Sequence, residues 1–221
     1  MERWATFDCY GTLVDWNAGI RGELEKLFGV ERAGDLLVRY HELEAEIQAS
    51  NPGSSYREVL TIALEQLAAE AELMLPEGEG SALARSLPDW PVFEDVQPGL
   101  TEARGRGWHL AILSNTDRDL IDASIASIGV PFDLAIVAGE IGSYKPQHAH
   151  WEVFRQRVGD DVAHVHVAQS LFHDIAPASE LGIPSIWINR LDEPDDTRPA
   201  LTLAGVRVLA DALDSLVPAA G

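Results

Sequence analysis

Between residues 110 and 188, short apolar runs alternate with stretches of helical periodicity. The runs are Leu110-Ala111-Ile112-Leu113, Leu134-Ala135-Ile136-Val137, Val165-His166-Val167-Ala168 and Ser185-Ile186-Trp187-Ile188. Short apolar runs of this kind read as buried strands. Between them Leu120, Ile121, Ser124, Ile125 and Ile128 fall on one helical face. Trp151, Phe154 and Val158 fall on another, and residues 175–181 read as a third helix. Strand–helix alternation implies parallel strands covered by helices on both faces. The expected fold class is therefore α/β, with a Rossmann-like parallel sheet core.

The N-terminus supplies a further strand. The segment Trp4-Ala5-Thr6-Phe7 runs into Asp8 and Cys9, followed by a Tyr10-Gly11-Thr12 turn. The pattern then turns helical. Ile20, Leu24, Leu27 and Phe28 share one face, as do Leu36, Leu37, Tyr40, Leu43 and Ile47. Asn51-Pro52-Gly53-Ser54 is a break, and Val59, Leu60, Ala63, Leu64 and Leu67 begin another helix. Pro88, Pro91 and Pro98 mark a connector. The expected organisation is a core from residues 1–14 and 96–221, with an inserted helical cap from 15–95 over the carboxyl edge of the sheet.

The formal net charge of −20 over 221 residues repels nucleic acid and anionic membranes. A small anionic substrate would therefore need local cations. No apolar stretch approaches the ~18 residues of a membrane span. Met1 to Trp4 enters the first strand at once, so no signal peptide is expected, and the single cysteine, Cys9, fits a reducing cytosol. The expected location is cytoplasmic. Both a monomer and a homodimer are compatible with the sequence.

Four strand-end sites carry the chemistry. They are Asp8 with Thr12, Ser114-Asn115, Lys145-Pro146, and Gln169-Ser170 with Asp174. Singly they read as helix caps or surface residues. In a parallel sheet, however, all four strand ends lie on one edge, where ligands of open α/β sheets bind. A carboxylate nucleophile must be ionised, and a nearby ammonium such as Lys145 favours that. Thr12 and Ser114 can orient Asp8 by donating hydrogen bonds. Attack would give a covalent intermediate that water then opens.

The string Phe7-Asp8-Cys9-Tyr10-Gly11-Thr12-Leu13-Val14-Asp15 resembles the first motif of the haloacid dehalogenase superfamily, and the other three sites match its later motifs in order. The resemblance implies Asp8 as covalent nucleophile, with Lys145, Asp174, Thr12 and Ser114 completing the catalytic set. Phosphatases of that superfamily carry an acid two residues after the nucleophile and a magnesium-binding Asp before the Ser of the fourth motif. Here those positions are Tyr10 and Gln169. An alkoxide leaving a phosphate ester needs a proton from a positioned acid, whereas a halide needs neither proton nor metal.

The chain is thus most similar to the type II 2-haloacid dehalogenases. That implies metal-independent hydrolytic dehalogenation of a short 2-haloalkanoic acid through an aspartyl ester, with no cofactor. Magnesium belongs only to the phosphatase alternative. Leu37-Val38-Arg39-Tyr40 resembles the cap segment that offers an arginine to the halide. The implied substrate and halide site is Arg39, Asn115, Tyr10, Trp151 and Ser170. The fourth motif departs from the family's Ser-Ser-Asn-x-x-Asp, reading Gln169-Ser170-Leu171-Phe172-His173-Asp174. Other readings are a phosphatase or other small-molecule hydrolase, and a non-catalytic member that binds a small carboxylate.

His164 and His166 alternate on one strand and are expected to share a face, with His148 and His150 nearby in sequence. Without a third ligand at fixed spacing, no metal site is expected. His173, beside Asp174, is expected to support the site rather than to react.

Overall fold

Among the described residues, six parallel strands form one sheet in the order β3-β2-β1-β4-β5-β6. They are β1 (Glu2–Phe7), β2 (Trp108–Ser114), β3 (Leu134–Val137), β4 (Val162–Ala168), β5 (Ser185–Ile188) and β6 (Leu201–Leu203). The computed structural model describes residues 1–51, 53–194 and 198–219; Pro52, at the expected break, lies outside them. The central strands are buried on both faces, which is why they read as continuous apolar runs and not as alternating ones. The chain builds outward from β1 through β2 to β3, then crosses back to place β4 on the other side of β1. That reversal opens a crevice at the carboxyl ends of β1 and β4.

The helices of residues 16–86, between β1 and β2, form an insert. They are α1 (Trp16–Phe28), α2 (Val30–Ser50), α3 (Tyr56–Glu70) and α4 (Ala82–Ser86). Ile20 and Leu24 of α1 pack with Leu36, Tyr40, Leu43 and Ile47 of α2 and Val59, Leu60, Ala63, Leu64 and Leu67 of α3. Ser55 and Glu58 form a reciprocal capping box at the start of α3.

The two chain crossings into and out of the insert run side by side. Asp15 N–H donates to Pro91 O at 2.7 Å, and Phe93 N–H to Leu13 O at 3.1 Å. A second tie links the far end. The Asp117 carboxylate accepts from the backbone N–H groups of Tyr56 and Arg57 at 3.1 and 3.0 Å, so a core residue satisfies free donors in the first turn of α3.

Helices α5 (Val96–Gly105), α6 (Arg118–Ile128), α7 (Ala138–Ile141), α8 (Ala149–Val158), α9 (Ala176–Glu180) and α10 (Leu209–Leu216) complete the described chain. The sequence reading missed β6 and α10. Three residues of β6 are too few to show a period. Among the described residues, no helix is long and apolar enough to cross a membrane.

Candidate active site

Asp8 leaves β1 at the carboxyl edge, its N–H held by Val167 O of β4 at 3.1 Å. The turn that follows needs Gly11, whose φ of +89° is one that L side chains rarely adopt. The turn returns Thr12 beneath Asp8. Thr12 Oγ1 donates to Asp8 Oδ2 at 3.0 Å and accepts from Gln169 N–H at 2.9 Å.

Lys145 Nζ spends its three donors on Asp8 Oδ1 at 2.9 Å, Asp174 Oδ1 at 2.7 Å and Leu113 O at 2.8 Å. Both the ammonium and Asp174 are buried, at 2% and 1% exposure. Asn115 fixes the lysine's backbone: its Oδ1 accepts from Lys145 N–H at 2.6 Å and its Nδ2 donates to Lys145 O at 3.0 Å. Asp174 arrives on a π-helical turn, Leu171–Ile175, capped by Ser170 Oγ, which accepts from His173 N–H at 3.0 Å. Such turns re-aim side chains at functional sites.

The cluster divides its two carboxylates. Burial opposes ionisation of Asp174, but the Lys145 charge and a hydrogen bond from His166 overcome it and hold Asp174 well below the usual carboxylate range. Burial pushes Asp8 up against the pull of Lys145, and the charge of Asp174 adds to the rise. Burial also opposes the ammonium, yet the charges of Asp174 and Asp8 raise Lys145. Asp174 is thus firmly ionised, and Asp8 is the more basic of the two.

Asp8, Ser114, Asn115, Lys145, Ser170 and Asp174 meet around one cleft of about 260 Å³. Tyr10 lines it too, but its hydroxyl turns away to Ser124 Oγ at 3.1 Å and burial pushes the phenol up, so the cleft meets the ring. His173 borders the cleft, with Nδ1 3.2 Å from Ser170 Oγ. Leu171 packs near Ala168, Ile175 and Trp187 instead.

Three expectations are corrected. Ser114 does not donate to Asp8: its Oγ is buried with no hydrogen-bond partner among the described residues. Arg39 does not reach the cleft. It lies on the outer face of α2, held by Glu70 and Glu42 at 2.8 Å and Glu46 at 3.2 Å. Trp151 is buried behind the site, its ring set edge-on against His166 at 5.2 Å. Arg39→Ala is accordingly expected to change turnover less than about threefold and to leave stability little changed, as for exposed ion pairs. Steady-state rates and melting curves check this; a hundredfold loss of rate would return the guanidinium to the site.

The sequence reading missed Glu44. It sits on the buried stripe of α2 with Tyr40, Leu43 and Ile47, is 5% exposed, and faces the cleft beside Gln48 and Tyr56. No ion pair among the described residues involves it. Burial raises its carboxyl to about 7, against hydrogen bonds from Tyr56 and Gln48.

The folded protein therefore keeps a proton on Glu44 that the unfolded chain loses above its ordinary value of 4.5. Stability should fall as pH rises from that value through about 7. Glu44→Gln cannot ionise, so its stability relative to the parent should grow over that range. The full difference is on the order of 3 kcal/mol, for about 2.5 units at 1.36 kcal/mol each. Denaturant unfolding at about pH 5 and pH 8 measures it; an unchanged difference between the two proteins would contradict the buried, unpaired carboxyl.

Histidines 164 and 166 share a face, as expected, and both reach Thr6. His148 pairs instead with Glu180, and His150 with Ser114 O. Among the described residues, no group of three or more His, Cys, Asp or Glu is arranged to hold a metal ion.

The parallel sheet gathers an aspartate–lysine–aspartate cluster at its carboxyl edge, where open α/β sheets hold their ligands. The model of the haloacid dehalogenase-like hydrolases matches residues 3–179, and the chain belongs to that family. The (S)-2-haloacid dehalogenase of Pseudomonas sp. (strain YL) is 30% identical over 189 residues, covering 83% of this chain and 81% of that protein. A phosphoserine phosphatase of Thermus thermophilus is 29% identical over 189 residues, covering 80% of this chain and 74% of that protein. Among solved structures, the L-2-haloacid dehalogenase of Xanthobacter autotrophicus with chloropropionic acid covalently bound superposes with a TM-score of 0.85. It is 17% identical and covers 99% of this chain and 100% of its own.

Proposed function

We propose that this chain hydrolyses the carbon–halogen bond of a short 2-haloalkanoic acid through an ester on Asp8, without a metal. The observation that carries the reading is Lys145 Nζ, buried between Asp8 and Asp174 at 2.9 and 2.7 Å. The ammonium supplies the local positive charge that a divalent ion would bring to a phosphatase site. Tyr10 and Gln169 stand where the acid and the metal ligand of a phosphatase belong, and the Tyr10 hydroxyl is engaged elsewhere.

Asp8, as the more basic carboxylate, attacks C2 and inverts it. Among the described residues, Ser114 Oγ is buried without a hydrogen-bond partner and borders the cleft, so it can donate to the substrate carboxylate. The halide leaves among Trp16, Tyr10 and Tyr56, which line the cleft, with the second Nδ2 hydrogen of Asn115 as a donor. Asp174 Oδ2 is likewise buried and unpartnered. It orients the water that attacks the Asp8 ester carbonyl. Cys9, buried and unpaired, fits a reducing cytosol.

The test is a panel of 2-haloacids and phosphate esters, with free halide and free phosphate measured separately, before and after exhaustive chelation. Halide release that survives chelation is expected. Phosphate release that depends on added magnesium would overturn the reading.

A further inference from the structure

Behind the catalytic cluster lies a row of polar side chains that the reaction as described above does not use. Asp174 Oδ1 meets His166 Nε2 at 2.9 Å. His166 Nδ1 meets Thr6 Oγ1 at 2.8 Å, and Thr6 Oγ1 meets His164 Nε2 at 2.7 Å. Strand pairing sets this up: Thr6 of β1 lies opposite His166 of β4, and Trp4 opposite His164. Two residues along a strand return to the same face, so the two imidazoles bracket the hydroxyl. His166 and Thr6 are fully buried. His164 borders a second cavity of about 320 Å³ that shares no lining residue with the cleft. We propose that His166, Thr6 and His164 form a proton path joining Asp174 to this rear cavity.

The inference rests on the reading of Asp174 as the group that handles the hydrolytic water. Each turnover converts a haloacid and water into a hydroxyacid, a halide and one proton. Water adds to the ester carbonyl, the bond from that carbon to the substrate oxygen breaks, and the departing oxygen keeps one hydrogen. The second hydrogen of the water must leave for Asp8 to become ionised again. On the cleft side, Glu44 and Gln48 of α2 and Tyr56 of α3 line the space in which the hydroxyacid forms.

Asp174 is a poor resting place for that proton, since Lys145 and His166 hold it ionised. Each member of the row can both donate and accept. With the proton taken up on Oδ2, the carboxyl turned so that this O–H faces His166, and each imidazole carrying its hydrogen on Nδ1, the row runs Asp174 O–H to His166 Nε2, His166 Nδ1–H to Thr6 Oγ1, and Thr6 O–H to His164 Nε2. One concerted shift along these bonds releases a proton from His164 Nδ1 and leaves Asp174 ionised; both imidazoles then return their hydrogen from Nε2 to Nδ1 before the next turnover. Burial, His166 and Arg155 hold His164 at about 3, so it passes the proton on instead of storing it. The titratable groups facing the row are Lys145, Asp8 and His150 at the cleft end and Arg155 at the rear.

The experiment follows the Asp8 ester by rapid quench and mass spectrometry in the whole protein with (S)-2-chloropropionate. Thr6→Val keeps the branched shape and removes the hydroxyl. It should slow hydrolysis of the ester by on the order of 10², the lower end for a positioned proton-transfer group. The solvent deuterium isotope effect on that step should rise, and Thr6→Ser should restore both. In His164→Ala, imidazole added to the buffer should re-enter the rear cavity and restore hydrolysis with saturation. A purely structural row predicts neither the isotope effect nor the rescue.

Ester hydrolysis at the parent rate in Thr6→Val, or a slow His164→Ala that imidazole leaves unchanged, would overturn the path. If Thr6→Val does not fold, the His164→Ala rescue decides alone. Absence of any Asp8 ester in the parent would instead overturn the dehalogenase reading, and the path with it.

Discussion

Asp8→Asn is expected to lower halide release by about four orders of magnitude or more, the scale reached when a covalent nucleophile is removed, while leaving the protein folded. An amide is a far weaker nucleophile than a carboxylate, and no other described carboxylate can take its place. Asp174 sits below Lys145 with one oxygen on the ammonium and on His166, and Glu44 holds a proton up to about 7. Stability should hold or rise, because the exchange removes one of two like charges around a single buried ammonium.

The companion measurement is a single turnover of the parent in heavy-oxygen water. The label should enter Asp8, and the hydroxyacid should carry the original Asp8 oxygen. Label appearing directly in the hydroxyacid during that first turnover would mean that water, and not Asp8, attacks the substrate.

Lys145→Met should cost turnover roughly three orders of magnitude and stability about 3–5 kcal/mol, the penalty for removing one partner from a buried pair. The methionine fills the volume but leaves two buried carboxylates facing each other without a cation. Such a pair holds a proton between them, as one pKa rises strongly. Asp8, already pushed up by burial, is the carboxylate that takes it, and a protonated Asp8 cannot attack.

The sign of the pH effect follows. The folded variant binds a proton that its unfolded chain has released, so its stability is greatest in acid and is lost as pH rises. The stability gap to the parent should widen between about pH 5 and pH 8 in denaturant titrations. Lys145→Arg should recover little, because a planar guanidinium cannot direct three donors at Asp8, Asp174 and Leu113 from one nitrogen. A Lys145→Met protein with near-parental rate and stability would show that the carboxylates do not depend on the ammonium.

The family's cap arginine shows where reading by motif fails and reading by period succeeds. Arg39 matched a segment by composition, yet positions 39, 42 and 46 lie on one outward face of α2, where the arginine meets Glu42 and Glu46. Tyr40, Leu43, Glu44 and Ile47 lie on the inward stripe. A glutamate on an apolar stripe was the available signal for Glu44. Likewise Trp151 shares its helix face with Phe154 and is drawn into the core behind the sheet.

The sequence by itself determined the parallel sheet and the convergence of Asp8, Ser114, Lys145 and Asp174. Alternating strands and helices admit one handedness of crossover, and that places every strand's carboxyl end on one edge. Asp8 and Ser114 lie at those ends, and α7 and the π-helical turn bring Lys145 and Asp174 to the same edge. Only the tertiary structure decided which way the insert's helices turn, and hence that Glu44 and not Arg39 faces the cleft. It alone joined His164 and His166 through Thr6 to Asp174. Contacts between residues more than 150 positions apart depend on strand register and helix rotation, which the whole core fixes together and which no local run of residues encodes.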